Sequence, residues 1–333
     1  MHILVTGAAG FIGFHLCRAL LAKGHSVVGL DNINSYYTTD LKFGRLAELG
    51  ITRECVKENV MVQSSAYGSF RFVKCSLEDN TSLEAVFASE KFDKVCNLAA
   101  QAGVRYSFEN PSAYIQSNIV GFANIIGLSH KYGVKHFVYA SSSSVYGNSN
   151  KVPFEETDRV DTPESIYAAT KKSNELIANV YSSQMGLPTT GLRFFTVYGP
   201  WGRPDMAPFL FLRSILEGKT IKVFNNGNLS RDFSYIDDIV TGVVKILEGE
   251  PAAKVYNIGN SSPVALMDFI STIEQVAGKE AIKEYAPMQQ GDVYTTYAST
   301  NAIERDFGFK PSTSLRDGLR EFAKWYKNYY QIN

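Results

Sequence analysis

Three glycines follow a short apolar run at the start of the chain. Ile3–Thr6 has the pattern of a β-strand, Gly7, Gly10 and Gly13 follow as GxxGxxG, and helical spacing continues to Lys23. Glycines in a strand-to-helix turn let the backbone approach a pyrophosphate, whose charge the helix N-terminus stabilises. A tight turn without a ligand is the competing interpretation.

An acidic residue at the end of the next predicted strand favours the nucleotide interpretation. Asp31 follows Ser26–Leu30 and stands 18 residues after Gly13. A carboxylate there accepts hydrogen bonds from the adenosine ribose and repels a 2′-phosphate. No arginine adjoins the pair Asp31 and Asn32, so we expect NAD rather than NADP.

Predicted strands and helices alternate between residues 3 and 195. Beyond those named above, we expect strands at 70–74, 94–98, 136–140 and 189–195, and helices at 41–49, 83–87, 113–132 and 168–185. Such alternation predicts an α/β fold with a Rossmann-type doubly wound parallel sheet. After Val197 the pattern is mixed and rich in proline and glycine, which indicates a smaller C-terminal substrate-binding lobe.

The composition limits the partners of the chain. Lys+Arg and Asp+Glu number 33 each, so the net charge is zero and no basic face for nucleic acid is indicated. No apolar stretch approaches the roughly 18 residues that span a bilayer, and the first residues carry no basic signal-peptide region. The four cysteines and five histidines form no disulfide framework or metal motif. We expect a cytoplasmic chain that binds no nucleic acid, membrane or metal.

A tyrosine and a lysine four residues apart lie near the start of the predicted helix at 168–185. Tyr167 and Lys171 form YxxxK, which places them on one helix face. An ammonium beside a phenol favours the phenolate and lowers the tyrosine pKa from about 10 towards working pH. Such a pair can exchange a proton with a sugar hydroxyl while a nicotinamide takes the hydride. A solvated helix start is the alternative.

Four consecutive serines strengthen the catalytic interpretation. Ser141–Ser144 follow the predicted strand at 136–140, at the end where open α/β sheets bind ligands. Hydroxyls there can bind a reacting oxygen, whereas a flexible loop is the alternative. Ser142 precedes Tyr167 by 25 residues.

These motifs together resemble the extended short-chain dehydrogenase/reductase family. Within it, three segments resemble the UDP-glucuronate 4-epimerases, relatives of UDP-galactose 4-epimerase: NLAAQAGVRYS at 97–107, GPWGRPDM at 199–206 and RDF at 231–233. The resemblance runs through nearly the whole chain. It implies bound NAD, a UDP-sugar substrate and a homodimer formed through helices near 113–132 and 168–185.

The resemblance also implies catalytic roles. Tyr167 would be the acid/base, Lys171 its electrostatic partner and a ligand of the nicotinamide ribose, and Ser142 the catalytic hydroxyl. Ser144 stands where the family often has threonine near the sugar O4, and Ser143 could share these roles. The full cofactor-binding set that we predict is Gly7, Gly10, Phe11, Ile12, Gly13, Asp31, Asn32, Leu77, Leu98, Ala99, Ala100, Tyr167 and Lys171.

Substrate contacts are implied in the same way. Arg203 would pair bidentately with the sugar C6 carboxylate, and Thr196 fits the glucuronate group. Arg231 would bind the UDP diphosphate, and Asp292, preceded by Gln290 and Gly291, would accept from the uridine ribose. Phe224 either stacks on uracil or belongs to the core. The predicted set is completed by Arg105, Ser142, Ser143, Ser144 and Tyr167, and Asn118 resembles an asparagine that helps to organise the active-site helix.

The residues beside the catalytic hydroxyl favour simple epimerisation. Nucleotide-sugar dehydratases carry an Asp-Glu pair there and decarboxylating relatives a Glu, whereas this chain has Ser143 and Ser144. We expect NAD-dependent C4 epimerisation of a UDP-sugar through a 4-keto intermediate, with UDP-glucuronate converted to UDP-galacturonate. The alternatives are a UDP-glucose or UDP-N-acetylglucosamine 4-epimerase and a non-catalytic NAD-binding regulatory protein. The expected domains are an NAD-binding domain over 1–196 and 229–262 and a nucleotide-sugar domain over 197–228 and 263–333.

Overall fold

A computed structural model of the chain describes residues 1–149, 151–289 and 292–332. The strands are β1 (His2–Thr6), β2 (Ser26–Asp31), β3 (Met61–Gln63), β4 (Phe70–Lys74), β5 (Lys94–Asn97), β6 (His136–Ser142), β7 (Thr189–Phe194), β8 (Thr196–Tyr198), β9 (Thr220–Phe224), β10 (Ser230–Tyr235), β11 (Lys254–Ile258), β12 (Pro263–Ala265) and β13 (Ile282–Ala286).

The helices are α1 (Phe11–Ala22), α2 (Thr39–Glu48), α3 (Asn80–Ser89), α4 (Tyr106–Glu109), α5 (Pro111–Tyr114), α6 (Gly121–Lys131), α7 (Ile166–Gln184), α8 (Ala207–Glu217), α9 (Ile236–Glu248), α10 (Leu266–Ala277), α11 (Asn301–Phe307) and α12 (Leu315–Tyr330). Short 3₁₀ turns lie at Arg53–Cys55, Ser143–Tyr146 and Asn225–Gly227. Within the described ranges, none of these helices has the length and hydropathy needed to cross a membrane.

The chain divides into two compact units. Unit 1 comprises Met1–Gly147, Arg159–Arg193 and Val240–Tyr256, and unit 2 comprises Asn148–Asp158, Phe194–Ile239 and Asn257–Asn333. β10, which the expected boundaries assign to the first domain, lies in unit 2 because it pairs with β8 and β12. The assignment of one domain to NAD and the other to the sugar nucleotide stays a prediction.

Most of the large sheet belongs to unit 1. Its strand order is β11-β7-β6-β5-β1-β2-β4-β3. β1 pairs in parallel with both β2 and β5, and β5 pairs in parallel with β6. The connection order reverses between β1 and β5, and ligands bind at such a switch point in open α/β sheets. The predicted α/β Rossmann-type fold is confirmed, except that the short edge strand β3 runs antiparallel to β4 and makes the sheet mixed.

The first strand shows that both faces of this sheet are covered. Leu4 packs into the core formed with α3 and α6. Its neighbours Ile3 and Val5 point to the opposite face, and all three side chains are fully buried. The uninterrupted apolar run of β1 is therefore that of a strand buried on both sides.

The predicted continuous helix at 113–132 is interrupted. Ile115–Val120 forms a π-helical turn between α5 and α6. The main-chain oxygen of Asn118, in this turn, accepts a 2.6 Å hydrogen bond from the side chain of Asn174 on α7. A π turn frees main-chain groups for such contacts, and helical periodicity alone did not predict it.

Unit 2 contains two small sheets. β10 lies between β8 and β12 in one, and β9 pairs in parallel with β13 in the other. The fully buried carboxylate of Asp232 accepts main-chain hydrogen bonds from Asn260 (2.7 Å), Ser261 (2.9 Å) and Ala298 (3.2 Å). One charge thus fixes two separate segments of unit 2 to β10.

A buried ion pair connects three elements of unit 1. Arg193, on β7, donates from Nε and Nη2 to the two carboxylate oxygens of Glu175 on α7, both at 2.9 Å. Arg193 also donates to the Tyr146 hydroxyl, and Glu175 accepts from Ser141 at the end of β6. Burial alone would lower the pKa of the Arg193 guanidinium, but hydrogen bonding and the charge of Glu175 outweigh it and raise that pKa.

Glu175→Gln should therefore destabilise the chain strongly. The change leaves a buried guanidinium without its counter-charge, which costs about 3–5 kcal/mol of unfolding free energy. Urea denaturation followed by circular dichroism measures the loss.

The matched control is Glu84→Gln, which breaks an exposed ion pair with Lys131 in the same unit and should cost about 1 kcal/mol or less. Equal effects of the two substitutions would contradict the role that we give to the buried pair.

Candidate functional site

The glycine-rich turn lies at the switch point of the sheet. Gly7 has φ +71°, and a Cβ there would lie 3.0 Å from the main-chain nitrogen of Ala99, after β5. A Cβ on Gly10 would lie 2.9 Å from the Gly7 carbonyl oxygen, and one on Gly13 would overlap that oxygen. These glycines therefore let α1 begin directly against the ends of β1 and β5.

The N-terminus of α1 has the properties of an anion site. Gly10 is its N-cap and offers no side-chain acceptor to the first-turn amides. Phe11 and Ile12 contribute such amides, which have no partner within a helix. The helix dipole adds partial positive charge at the same place.

Asp31 ends β2 with a buried carboxylate. It accepts main-chain hydrogen bonds from Ala9 (3.2 Å) and Ile33 (2.7 Å), and the Lys42 ammonium lies 3.9 Å from it. Asp31 thus connects the glycine turn to the segment after β2. Asn32, beside it, is half-buried.

Two cations of α2 that were not predicted from the sequence support this turn. Arg45 is fully buried and donates to the Ala9 carbonyl (2.9 Å) and to the Tyr37 hydroxyl (2.7 Å). Lys42 donates to the Asn34 side chain (3.0 Å). The buried face of α2 consists of Leu41, Lys42, Arg45 and Leu46. This spacing could have indicated two buried cations, but it does not identify the groups to which Lys42 and Arg45 bind.

The remaining predicted cofactor residues follow strands of the same sheet. Leu98, Ala99 and Ala100 come directly after β5, and the Ala99 amide donates to the Thr6 hydroxyl (3.1 Å). Leu77 follows β4, is nearly buried and packs on Gly121 of α6. These residues therefore line the carboxyl ends of β1, β4 and β5.

The YxxxK pair lies in the first two turns of α7. The Ser165 hydroxyl caps the helix by accepting from the Ala168 amide (3.1 Å). Lys171 is buried, and its ammonium donates to the Ala140 carbonyl (2.8 Å), just before the serine run, while lying 5.9 Å from the Tyr167 ring centre. Burial lowers the pKa of Lys171 to about 8. Its hydrogen bond attaches α7 to the end of β6.

The four serines have different partners. Ser141 donates to Glu175 (2.7 Å), which gives its hydroxyl a structural role. Ser142 donates to the Ser144 hydroxyl (3.1 Å) and accepts from the Ser144 amide (3.2 Å). Ser143 is half-buried. The structure therefore joins Ser142 with Ser144, the two serines predicted as catalytic.

Asn118 connects α7 to the segment after β5. Its side chain accepts from the Gln101 amide (2.8 Å) and donates to the Gln101 carbonyl and the Thr170 hydroxyl, both at 3.0 Å. Thr170 immediately precedes Lys171. Asn118 thus has an organising position and is not an ordinary helix residue.

Tyr114 contacts Tyr167, the candidate acid/base, and this contact was not predicted from the sequence. Its ring packs edge-on against Tyr167, with ring centres 6.1 Å apart. Its hydroxyl donates to the carbonyls of Gly103 (2.5 Å) and Ala102 (3.0 Å). Arg105, two residues after Gly103, is exposed at the start of α4. No local pattern identifies Tyr114, because its contacts depend on the π turn and the loop after β5.

Arg105, the serines of the serine run and Tyr167 lie in unit 1. The other predicted substrate residues lie in unit 2. Thr196 begins β8 and faces Phe233 in register. Arg231, on β10, donates to the carbonyls of Ser230 (2.9 Å) and Tyr294 (3.2 Å). Asp292 is half-buried, and Gln290 and Gly291 before it lie outside the described residues.

Phe224 is the last residue of β9. Ile221 and Val223 are buried on one face of this strand, so alternation places Phe224 on the other face, where it is half-buried. It therefore does not lie on the face that Ile221 and Val223 contribute to the core.

Arg203 lies in the loop between β8 and α8. Its Nε donates to Asp205 Oδ1 (3.1 Å), and its Nη2 donates to Oδ2 (2.5 Å). The guanidinium thus already binds a carboxylate side-on, in the bidentate geometry expected for a sugar acid.

The donor set of unit 1 fits a dinucleotide. The glycines leave the N-terminus of α1 without side chains, where a pyrophosphate can bind. Asp31 is fixed by two amides and retains lone pairs for ribose hydroxyls. Among the described residues, no group of three or more His, Cys, Asp or Glu is arranged to hold a metal.

Comparisons with known proteins agree with this geometry. The profile of the "NAD dependent epimerase/dehydratase family" matches residues 3–259. A Staphylococcus aureus protein named CapI is 49% identical over 99% of this chain and 100% of its own length. A Rhizobium meliloti protein named probable UDP-glucuronate 4-epimerase is 43% identical over 99% of this chain and 98% of its own.

A solved structure is similar over the same span. The crystal structure of UDP-glucuronic acid 4-epimerase from Bacillus cereus, in complex with UDP-glucuronic acid and NAD, has a TM-score of 0.89 and 34% identity. The match covers 99% of this chain and 100% of that one. The resemblance inferred from the motifs is confirmed: with its glycine turn, YxxxK helix and serine run on one sheet, the chain belongs to the NAD dependent epimerase/dehydratase family.

Proposed function

We propose that this chain is an NAD-dependent UDP-glucuronate 4-epimerase that converts UDP-glucuronate to UDP-galacturonate. The observation that carries the chemistry is the position of Lys171, which is bonded to the carbonyl before the serine run and lies one helical turn from Tyr167. The names of the Rhizobium meliloti and Bacillus cereus relatives support the choice of substrate.

Tyr167 acts as the proton acceptor for the sugar C4 hydroxyl. The positive charge of Lys171 reduces the cost of forming the phenolate. The edge-on contact with Tyr114 limits how far the Tyr167 ring can tilt. Ser142, whose orientation is set by Ser144, hydrogen-bonds the same sugar oxygen as the proton leaves.

The glycine turn and Asp31 hold the cofactor. The amides of Phe11, Ile12 and Gly13 bind the pyrophosphate, and the Asp31 carboxylate binds the adenosine ribose. Leu77, Asn32 and the segment Leu98–Ala100 surround it. NAD held there would supply the hydride acceptor for C4 and would give the hydride back to the opposite face of the 4-keto sugar, so that no external NAD would be consumed.

The carboxylate that hydrogen-bonds the serine run supports epimerisation over elimination. Glu175 contacts Ser141, but both of its oxygens are bound by Arg193. A carboxylate held in this way is poorly suited to move protons at C5 or C6, because it must first lose a buried ion pair. Ser143 and Ser144 carry no acid group.

Unit 2 binds the sugar nucleotide in this proposal, and unit 1 binds NAD. Arg203 pairs with the C6 carboxylate, and Thr196 hydrogen-bonds the same end of the sugar. Arg231 binds the diphosphate, Asp292 accepts from the uridine ribose, and the outward face of Phe224 stacks on uracil. Arg105, exposed in unit 1, adds a positive charge for the substrate.

Tyr167→Phe should remove turnover and leave the cofactor in place. Loss of a positioned acid/base lowers kcat by about 10²–10⁴-fold, whereas no part of the glycine turn changes. Release of NAD from denatured protein and chromatographic assay of UDP-glucuronate conversion measure the two properties.

Tyr181→Phe, on the same helix, is the matched control and should retain activity. Turnover by Tyr167→Phe at the unchanged rate would exclude the proposed mechanism, and it would leave a non-catalytic NAD-binding role open.

Arg203→Ala should weaken binding of the sugar acid selectively. A charge-assisted bidentate pair contributes about 1.5–3 kcal/mol, so Kd for UDP-glucuronate should rise about 10- to 100-fold. Kd for UDP-glucose, which has no carboxylate, should change little. Calorimetry with both ligands measures the difference.

Arg213→Ala, which removes an exposed arginine of α8, serves as the control. An equal loss of affinity for both sugars in Arg203→Ala would refute the carboxylate assignment and favour a neutral UDP-hexose as substrate.

We also propose that the active form is a cytoplasmic homodimer. On α7, Leu176 is 58% exposed and Val180, one turn later, is 51% exposed. Ile115 and Val120, in the π turn, are exposed as well. Four exposed apolar side chains on α7 and the neighbouring π turn favour burial against a second copy of the chain.

The four cysteines are free thiols, which agrees with a reducing compartment such as the cytoplasm.

Light scattering should give twice the chain mass of 36.9 kDa. Leu176→Asp combined with Val180→Asp should yield monomers, because two charges cannot be buried in an apolar interface. Charge reversal at Lys219, an exposed ion-pair residue outside these helices, should leave the dimer intact. A wild-type monomer at micromolar concentration would contradict the proposal.

A further inference from the structure

The ion pair of Arg203 with Asp205 has a consequence for substrate selection. The two side chains are separated by one residue, and they are only partly shielded, with 22% and 28% of their surfaces exposed. Asp205 occupies the Nε–Nη2 edge of the guanidinium with both of its oxygens. A carboxylate is therefore already bound to the group that reads a carboxylate in the proposed function.

The main chain around Arg203 is held at both ends. Trp201, at φ +62°, packs against Trp325 and Tyr329 of α12, with ring centres 5.3 and 4.9 Å apart. On the other side, the Met206 amide donates to the Arg203 carbonyl (3.3 Å) just before α8. The main chain of the loop thus has contacts that do not depend on the ion pair between Arg203 and Asp205.

We propose that Asp205 is an internal competitor, which occupies Arg203 until the carboxylate of an acidic sugar displaces it, and that it thereby moderates selection of acidic over neutral UDP-sugars. The inference rests on the proposed function, in which Arg203 binds the sugar C6 carboxylate. Asp205 is a specificity-determining residue that acts through Arg203 and not on the reacting atoms.

Competition follows from the cost of leaving charges unpaired. An acidic sugar must first break a pair that is partly solvated, which reduces its net gain in binding. A neutral sugar leaves Arg203 paired with Asp205, so it does not incur the penalty of an unpaired cation that normally excludes such an analogue. Both effects narrow the difference in affinity between the two classes of sugar.

Asp205→Asn should therefore sharpen selection. Without the competing carboxylate, Kd for UDP-glucuronate should fall about threefold to fivefold, the range expected for a partly exposed ion pair. Kd for UDP-glucose should stay constant or rise. The selectivity ratio, which is Kd for UDP-glucose divided by Kd for UDP-glucuronate, should therefore increase at least threefold. The kcat for UDP-glucuronate should remain within about twofold.

The control is Asp306→Asn, since Asp306 also binds an arginine side-on within α11, with Arg305 Nε at 2.7 Å and Nη2 at 3.2 Å. It should change neither Kd. The affinity for UDP alone reports whether unit 2 remains folded, and Asp205→Ser provides a second variant if Asp205→Asn fails that check.

The outcomes separate this inference from the proposed function. An unchanged or smaller ratio in both folded Asp205 variants would overturn the inference, since it would make Asp205 a structural partner or a positioning residue of Arg203. If Asp205→Asn still changed the ratio in an Arg203→Ala background, the effect would not pass through Arg203 and the inference would fail. If Arg203→Ala alone left the ratio unchanged, the carboxylate assignment itself would fail, and the inference with it.

Discussion

A guanidinium and a carboxylate that are both withdrawn from water persist only as a pair, and in this chain one such pair fixes the geometry of the candidate active site. Arg193 on β7 binds both oxygens of Glu175, and Glu175 also accepts from Ser141. Lys171, one turn before Glu175, is bonded to the carbonyl before Ser141. The helix that carries Tyr167 and the strand end that carries Ser142 are therefore connected twice, by one buried charge pair and one buried ammonium. Small displacements of either element require breaking contacts that cost several kcal/mol.

The same pair limits the chemistry of the site. A 4-keto sugar is an intermediate from which epimerisation, elimination and decarboxylation can all follow. Elimination needs an acid or base near C5 and C6, and decarboxylating relatives carry a glutamate beside the catalytic hydroxyl. Glu175 is the carboxylate bonded to the serine run, and its oxygens are held by Arg193. Ser142 and Ser144 bond to each other and provide hydroxyls alone. We infer that the site favours the return of the hydride over the loss of water or carbon dioxide.

The sequence predicted the features that are local in the chain. The glycine turn, Asp31 and YxxxK are short motifs whose spacing carries their chemistry, and the alternation of strands and helices predicted the sheet of unit 1. Contacts between distant residues were not predictable: Arg45 supports Ala9 across 36 positions and Asn118 reaches Gln101 across 17. The π turn at Ile115–Val120 was missed because helical periodicity continues through it. Asp205 is close to Arg203 in sequence, but only the bidentate geometry distinguishes it from an ordinary loop carboxylate.

In the proposed mechanism, a hydride leaves C4 of the sugar and returns to the same carbon. UDP-glucuronate labelled with deuterium at C4, incubated with the enzyme in ordinary water without added NAD, tests it most directly. Direct return of the hydride should give UDP-galacturonate that retains the deuterium at C4, with no release of carbon dioxide, as followed by NMR and mass spectrometry. Loss of the label to solvent, or release of carbon dioxide with formation of a pentose, would contradict it.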